Sequence, residues 1–236
     1  MKETIAFLQQ DPIRNMNLLG FMEENQIKSL QRIGNSVILR GSSDRDWTFI
    51  SSPGEDELRA LMPYLTEADR SFAVIEDWMM PVITAGRPLE WILSTERLYL
   101  PDEDRPVDVP RTAVRPLTIR DTSYLYKHSD YRDFISPEYI HMRIERGPSA
   151  GIEVGWDLAG WVMTHDDGAI GFLHVLEKYR RRGYAKQLMK HIIQQVRSRG
   201  KTPFVHIEEA NTGSLSLALN LGFRRDRLVH WFELGS

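Results

Sequence analysis

The chain has 236 residues, enough for one large or two small domains, and its 42% hydrophobic and 27% charged content is that of a soluble globular protein. There is no cysteine, which excludes disulfides, thiolate catalysis and Cys-ligated zinc. No apolar run reaches bilayer length, and the start, Met1-Lys2-Glu3-Thr4, carries no cleavable signal pattern, so a cytoplasmic protein without a membrane partner is expected.

The net charge of −3 is unevenly spread. Residues 1–110 carry 11 Lys+Arg against 19 Asp+Glu, and residues 111–236 carry 19 against 14. All seven histidines fall in the second part. An anionic ligand therefore belongs with the C-terminal half.

In chain order, apolar spacing predicts helices near 3–10 and 15–25, then strands over 36–40 and 47–51. A helix over 55–65, a strand over 72–76, a helix over 78–85 and a strand within 89–100 follow. Residues 101–110 hold three prolines and no apolar period, which reads as an interdomain linker. The expected division is an N-terminal α/β domain over 1–100, a linker over 101–112 and a second domain over 113–236.

The second domain opens with a strand over 113–118 and helices near 120–128 and 137–146, the first capped by Asp121 or Thr122. Strands over 161–165 and 169–175 flank Asp166-Asp167-Gly168, a hairpin turn signal. Apolar residues then recur at Ala185, Leu188, Met189, Ile192, Ile193 and Val196, a helix with one core-facing side that Gly200 ends. A strand over 203–207 follows. Asn211-Thr212-Gly213-Ser214 opens a last helix that closes at Leu221-Gly222-Phe223.

The informative stretch is Arg180-Arg181-Arg182-Gly183-Tyr184-Ala185. It lies between an apolar strand and an amphipathic helix. Gly183 can take conformations closed to other residues and leaves no Cβ in a ligand's way. The helix start offers unpaired N–H groups and partial positive charge, and three arginines add formal charge. Together these read as a pyrophosphate cradle.

Arg180-x-x-Gly183-x-Ala185 resembles the signature of the GNAT superfamily of CoA-dependent N-acyltransferases. The order strand, strand, loop, helix, strand, helix, Gly-Phe and the Asn211-x-x-Ser214…Leu221-Gly222-Phe223 ending extend the likeness over roughly 113–225. Trp161, Glu177-Lys178-Tyr179-Arg180 and His206-Ile207-Glu208 resemble the glycine N-acyltransferase-like branch. The implied fold is α/β: a GNAT-type mixed, mostly antiparallel sheet flanked by helices, beside a smaller N-terminal α/β domain. The N-terminal order resembles a GNAT core lacking parts and has no phosphate motif. It is either a degenerate, CoA-free copy that covers the acceptor site or an unrelated α/β cap.

The resemblance implies acetyl-CoA or another acyl-CoA as donor and a small-molecule primary amine or amino acid as acceptor. The backbone of Leu173 and Val175 would pair with the pantetheine arm. Amides from Arg181 to Lys186, including Gly183, Tyr184 and Ala185, would hold the pyrophosphate. One of Arg180, Arg181 and Arg182 would serve the 3′-phosphate. Asn211, with Ser214, would cap the last helix and contact the cofactor arm.

The family's usual base position is Ala169 here, and its usual Tyr acid is Ala218. Glu208 and His206 are the candidate proton acceptors, on the same strand parity; Glu209 has opposite parity. Tyr184 and Ser216 are possible acids. His174 should face away from the amine unless a bulge reverses it. Trp161 and Phe172 read as core. His141, Arg143 and Arg146 read as a solvated helix face or as acceptor contacts. No metal site is expected.

Two rivals remain: an acyl-CoA sensor that lost its chemistry, and a nucleic-acid-binding module built on Lys178–Arg182 and Lys186. Overall acidity and the lack of interleaved aromatics argue against nucleic acid. A monomer or homodimer is expected.

Overall fold

The computed structural model describes residues 1–101, 114–129, 131–132 and 135–235. The stretch read as a linker, 101–112, lies outside the described residues apart from Pro101. The chain forms two compact units: Met1–Leu98 with Ile207–Leu215 and Arg225–Ser236, and Tyr99–His206 with Ser216–Arg224.

The first unit contains helices α1 (Lys2–Leu8) and α2 (Met16–Glu24), then strands β1 (Gln26–Ile33), β2 (Ser36–Ser42) and β3 (Asp46–Ser51). Helix α3 (Glu55–Leu61), β4 (Ser71–Glu76), α4 (Met80–Thr84) and β5 (Leu89–Tyr99) follow. Strand β2 alternates its side chains between two cores. Val37 and Leu39 pack with Leu8, Leu18 and Phe21 of α1 and α2, while Ile38 packs with Leu58 and Leu61 of α3. The last strand of the chain, β11 (Arg224–Leu234), pairs antiparallel with β4 through Phe232↔Phe72 and Val229↔Glu76, and lies between β4 and β5.

The second unit contains β6 (Val114–Arg115), α5 (Thr122–Lys127), α6 (Pro137–Arg146), β7 (Ser149–Val154), β8 (Asp157–Thr164) and β9 (Ile170–Val175). Helix α7 (Tyr184–Ser198) and β10 (Phe204–Ile207) follow, and α8 (Thr212–Asn220) leads into β11. The strand order is β10-β9-β8-β7-β6, with antiparallel pairs except for β9–β10. One sheet face carries α7, which buries Leu188, Met189, Ile192, Ile193 and Val196. The other carries α5 and α6, whose Leu125, Ile140 and Ile144 pack on Trp161 and Met163.

Strands β1, β7 and β11 are absent from the periodicity reading. Strand β1 is half-exposed and largely polar, β7 begins with small residues, and β11 carries three arginines in its first four positions, so none shows a clean apolar alternation. The start of α5 also differs from expectation. A capping box between Thr118 and Asp121 sets a 3-10 turn over Ile119–Asp121, and α5 continues from it.

Candidate functional site

Two strands of the second unit part company at the site. Parallel strands β9 and β10 are in register at one pair, Val205↔Ile170. Beyond it, β9 keeps its other neighbour, β8, but not regularly. Trp161 stands opposite His174 and Met163 opposite Gly171, so β9 spends one extra residue. The bulge centres on Phe172, whose φ of 53° lies in the left-handed region. A strand with one ladder side open and a bulge at its middle can offer backbone groups to a ligand. Leu173 and Val175 lie on this stretch, half-buried.

After β9 the chain makes a 3-10 turn over Glu177–Tyr179 and reaches the arginine loop. Arg180 Nε donates to the carbonyl of Val175 at 3.1 Å, which ties the loop to the strand end. Arg181 (φ 62°) and Gly183 (φ 81°) both take left-handed conformations, a geometry that turns successive N–H groups to one side. Gly183 precedes α7 and provides no side-chain cap. The first helical backbone bond runs from Gln187 N to Gly183 O, so the N–H groups of Tyr184, Ala185 and Lys186 precede the ladder. A Cβ at Gly183 would meet nothing nearer than Gln187 Nε2 at 4.0 Å, so the space over the glycine is open. Arg180, Arg181, Arg182 and Lys186 are exposed around it. Neighbouring Lys178 is taken by Asp157 at 2.5 Å, and Asp157 also accepts from Tyr179 Oη at 2.6 Å. These groups fit a pyrophosphate: backbone donors, a helix dipole and exposed positive charge around the open space over Gly183.

A polar cluster stands on the α6 side of the same sheet. Ser136 caps α6 through its Oγ, which accepts from Tyr139 N at 3.1 Å, and Pro137 occupies the first turn. That start sets Tyr139, Ile140, Arg143 and Ile144 on the buried face. Tyr139 Oη donates to Asp166 Oδ1 at 3.0 Å and stands 3.4 Å from His165 Nδ1. Burial pushes the Tyr139 phenol well up, and the Asp166 charge adds to it. Arg143 Nε donates to the Thr164 carbonyl at 2.9 Å. The His165 ring lies over Gly171, where a Cβ would collide with it, and against Phe172 at 4.5 Å. Asp167 accepts from Ala169 N at 3.0 Å and faces His206 Nε2 at 3.5 Å, with side chains only 5% and 8% exposed respectively. Burial alone would raise the Asp167 carboxyl. Its bond to His206, the charges of His206 and His165 and the Ala169 N–H hold it well below the usual range.

Two sequence expectations are decided here: the β9 bulge reverses His174, and the packing of α6 buries Arg143. His174 falls on the face of Gly171 and Met163 and stacks on Trp161, ring centroids 4.6 Å apart at 19°. Arg143 is fully buried rather than part of a solvated helix face. His141 is half-exposed beside Glu145 at 3.4 Å, and Arg146 is exposed. Ala169 and Ala218 are both buried. Leu173, Val175, Arg180 to Lys186 and His206 all lie in the second unit, whereas Glu208, Asn211 and Ser214 fall in the first. Asn211 caps α8, its Oδ1 accepting from Ser214 N at 3.1 Å. Sequence reasoning took Asp166 and Asp167 for turn residues alone and passed over His165 and Tyr139. The His-Asp-Asp-Gly run at the hairpin was the available signal. Among the described residues no cluster is placed to hold a metal, and no helix is long and apolar enough to cross a membrane.

Residues 153–232 match the family described as FR47-like protein. No curated protein matches the sequence. Solved structures share the fold at low identity. A Drosophila protein superposes with a TM-score of 0.74 at 16% identity, over 99% of this chain and 95% of that one. A GCN5-related N-acetyltransferase-like protein from Streptococcus suis gives 0.58 at 15% identity over 100% of both chains. A tandem GNAT protein from the clavulanic acid biosynthesis pathway gives 0.53 at 15% identity, over 94% and 88%. The likeness to the FR47-like family thus lies in residues 153–232, and the fold shared with these solved structures, two of them GNAT proteins, extends along the whole chain.

Proposed function

We propose that this chain is an acyl-CoA-dependent N-acyltransferase that moves an acyl group, acetyl by default, to a primary amine. The observation that carries the reading is the run from bulged β9 through left-handed Arg181 and Gly183 into the uncapped start of α7. The backbone of Leu173 and Val175 would pair with the pantetheine arm. The amides of Arg181 to Lys186 would hold the pyrophosphate, and one of the three arginines the 3′-phosphate. The amine would attack the thioester directly within a ternary complex, since the chain holds no cysteine to carry the acyl group.

Thiol release from acetyl-CoA across a panel of primary amines that includes glycine tests the reading. The absence of cysteine keeps the background of a thiol reagent low. Release above the blank with any amine supports it. Tight acetyl-CoA binding with no release from any amine favours the second reading, an acyl-CoA sensor, for which the buried Ala169 and Ala218 speak.

We also infer that the first unit is a GNAT-like copy without a donor site. Its order α1-α2-β1-β2-β3-α3-β4-α4-β5 repeats α5-α6-β7-β8-β9-α7-β10-α8-β11 element by element. Like β9 and β10, strands β3 and β4 are parallel and in register at one pair, Thr48↔Phe72. There the likeness to a donor site ends. Strand β3 pairs with β2 without a bulge. Helix α3 begins Glu55-Asp56-Glu57, which repels a phosphate. Arg14 bridges the β3 end at Ser52 O to Glu76 at the end of β4. Calorimetric titration should give one acetyl-CoA per chain; two would refute the copy's loss of its site.

A further inference from the structure

We infer that His206, held by Asp167, is the group that takes the proton from the attacking amine, a role that deepens the transferase reading and rests on it. The argument starts from strand geometry. Partners in a parallel pair point to the same face, and Val205 is opposite Ile170. His206 therefore shares its face with Ala169 and Gly171, on the α6 side of the sheet. Ala169 is buried and has nothing to titrate, and Gly171 has no side chain. The imidazole stands one strand over from them, where β9 and β10 begin to separate. On this face the titratable group is thus supplied by β10 and not by β9.

Asp167 is built for positioning. It stands at the β8–β9 turn, which is fixed by His165 N donating to Ala169 O at 2.7 Å and Gly168 N to His165 O at 3.0 Å. Its Oδ1 accepts from Ala169 N, and its Oδ2 faces His206 Nε2. The carboxylate orients the ring and stabilises the imidazolium that forms when Nδ1, buried in the free protein, takes a proton through one water. The other charged and titratable groups around the pair are His165 and Asp166 on the turn and Tyr139 and Arg143 on α6. The step balances within the site. The amine nitrogen forms the C–N bond and gives one proton to His206. The C–S bond breaks with its electron pair on sulfur, and the imidazolium returns that proton to the CoA thiolate.

The test uses the full-length chain with acetyl-CoA and the amine panel. His206→Gln should keep acetyl-CoA affinity in calorimetry and lose about a hundredfold or more in turnover. Asp167→Asn keeps an oxygen for Ala169 N–H but removes the charge. Its turnover should fall less, and the acid limb of its pH–rate profile should move to lower pH by about one unit or more, because an imidazole without its carboxylate is less basic. Wild-type turnover in His206→Gln overturns the inference and leaves the transferase reading standing. A lowered melting temperature with an unshifted profile in Asp167→Asn reduces the pair to a structural lock and also overturns it. Acetyl-CoA bound but transferred to no amine by the unaltered protein overturns the transferase reading and this inference with it.

Discussion

The His174 imidazole lies flat on the Trp161 indole, 4.6 Å between ring centroids, only because Phe172 takes a left-handed backbone in the strand between Gly171 and His174. Without that extra residue the alternation of β9 would send His174 to the α7 face. The stack should be worth about 1 kcal/mol, so His174→Ala is expected to lower unfolding stability modestly. Trp161→Ala, which empties a buried site beside Met163 and Ile140, should cost about 3–5 kcal/mol. Denaturant melts of the two variants check the ratio.

Gly183 offers a test of the proposed phosphate loop. A glutamate there places bulk and negative charge at the start of α7, and acetyl-CoA affinity should vanish while the circular dichroism spectrum is unchanged. Gly183→Ala meets no clash and bears only the left-handed strain, about 1 kcal/mol. Its acetyl-CoA affinity should fall only slightly. Equal affinities of the Glu variant and the unaltered protein in calorimetry would refute the loop assignment.

Gly171→Ala should displace the His165 ring, because the new methyl group occupies its place. Such overpacking typically costs about 1–3 kcal/mol. Loss of the Tyr139–His165–Asp166 arrangement should appear as altered histidine resonances in NMR. A variant with the unaltered protein's spectrum and stability would show that the contact is soft.

Asp69 in the first unit gives a pH prediction. It accepts from Arg40 Nε at 2.6 Å, Thr48 Oγ1 at 2.8 Å and Thr66 N at 2.8 Å. Burial pushes its carboxyl up, and the bonds from Arg40, Thr66 and Thr48 more than offset that, so it titrates below its ordinary value. The stabilisation is complete above roughly pH 4 and is lost as pH falls through the depressed value. Asp69→Asn should cost about 3 kcal/mol at neutral pH by leaving Arg40 uncompensated. Its stability should also fall less steeply under acid. Parallel acid-unfolding curves for the two proteins would contradict this.

Much of the second unit could be read in the sequence. The α7 stripe, the Gly183 junction, the Asp166-Asp167-Gly168 hairpin and the Asn211 cap are local patterns, set by helical period and by the few residues that accept a left-handed or capping geometry. Strands β1, β7 and β11 were not legible, because their place in the sheet comes from pairing with neighbours and not from an apolar alternation of their own. The β9 bulge was not legible either: Phe172 is no residue that favours a positive φ, and only pairing with β8 imposes it.

The sequence by itself determined the Gly183 strand–helix junction and the order of elements around it, since both rest on residues close together in the chain. Only the tertiary structure decided that β11 completes the first unit beside β4 and that His174 turns to the α6 face. It also brought Asp167, 39 residues distant in sequence, to His206. Each of these depends on strand register, and register is set by which strands meet, which no local pattern of residues encodes.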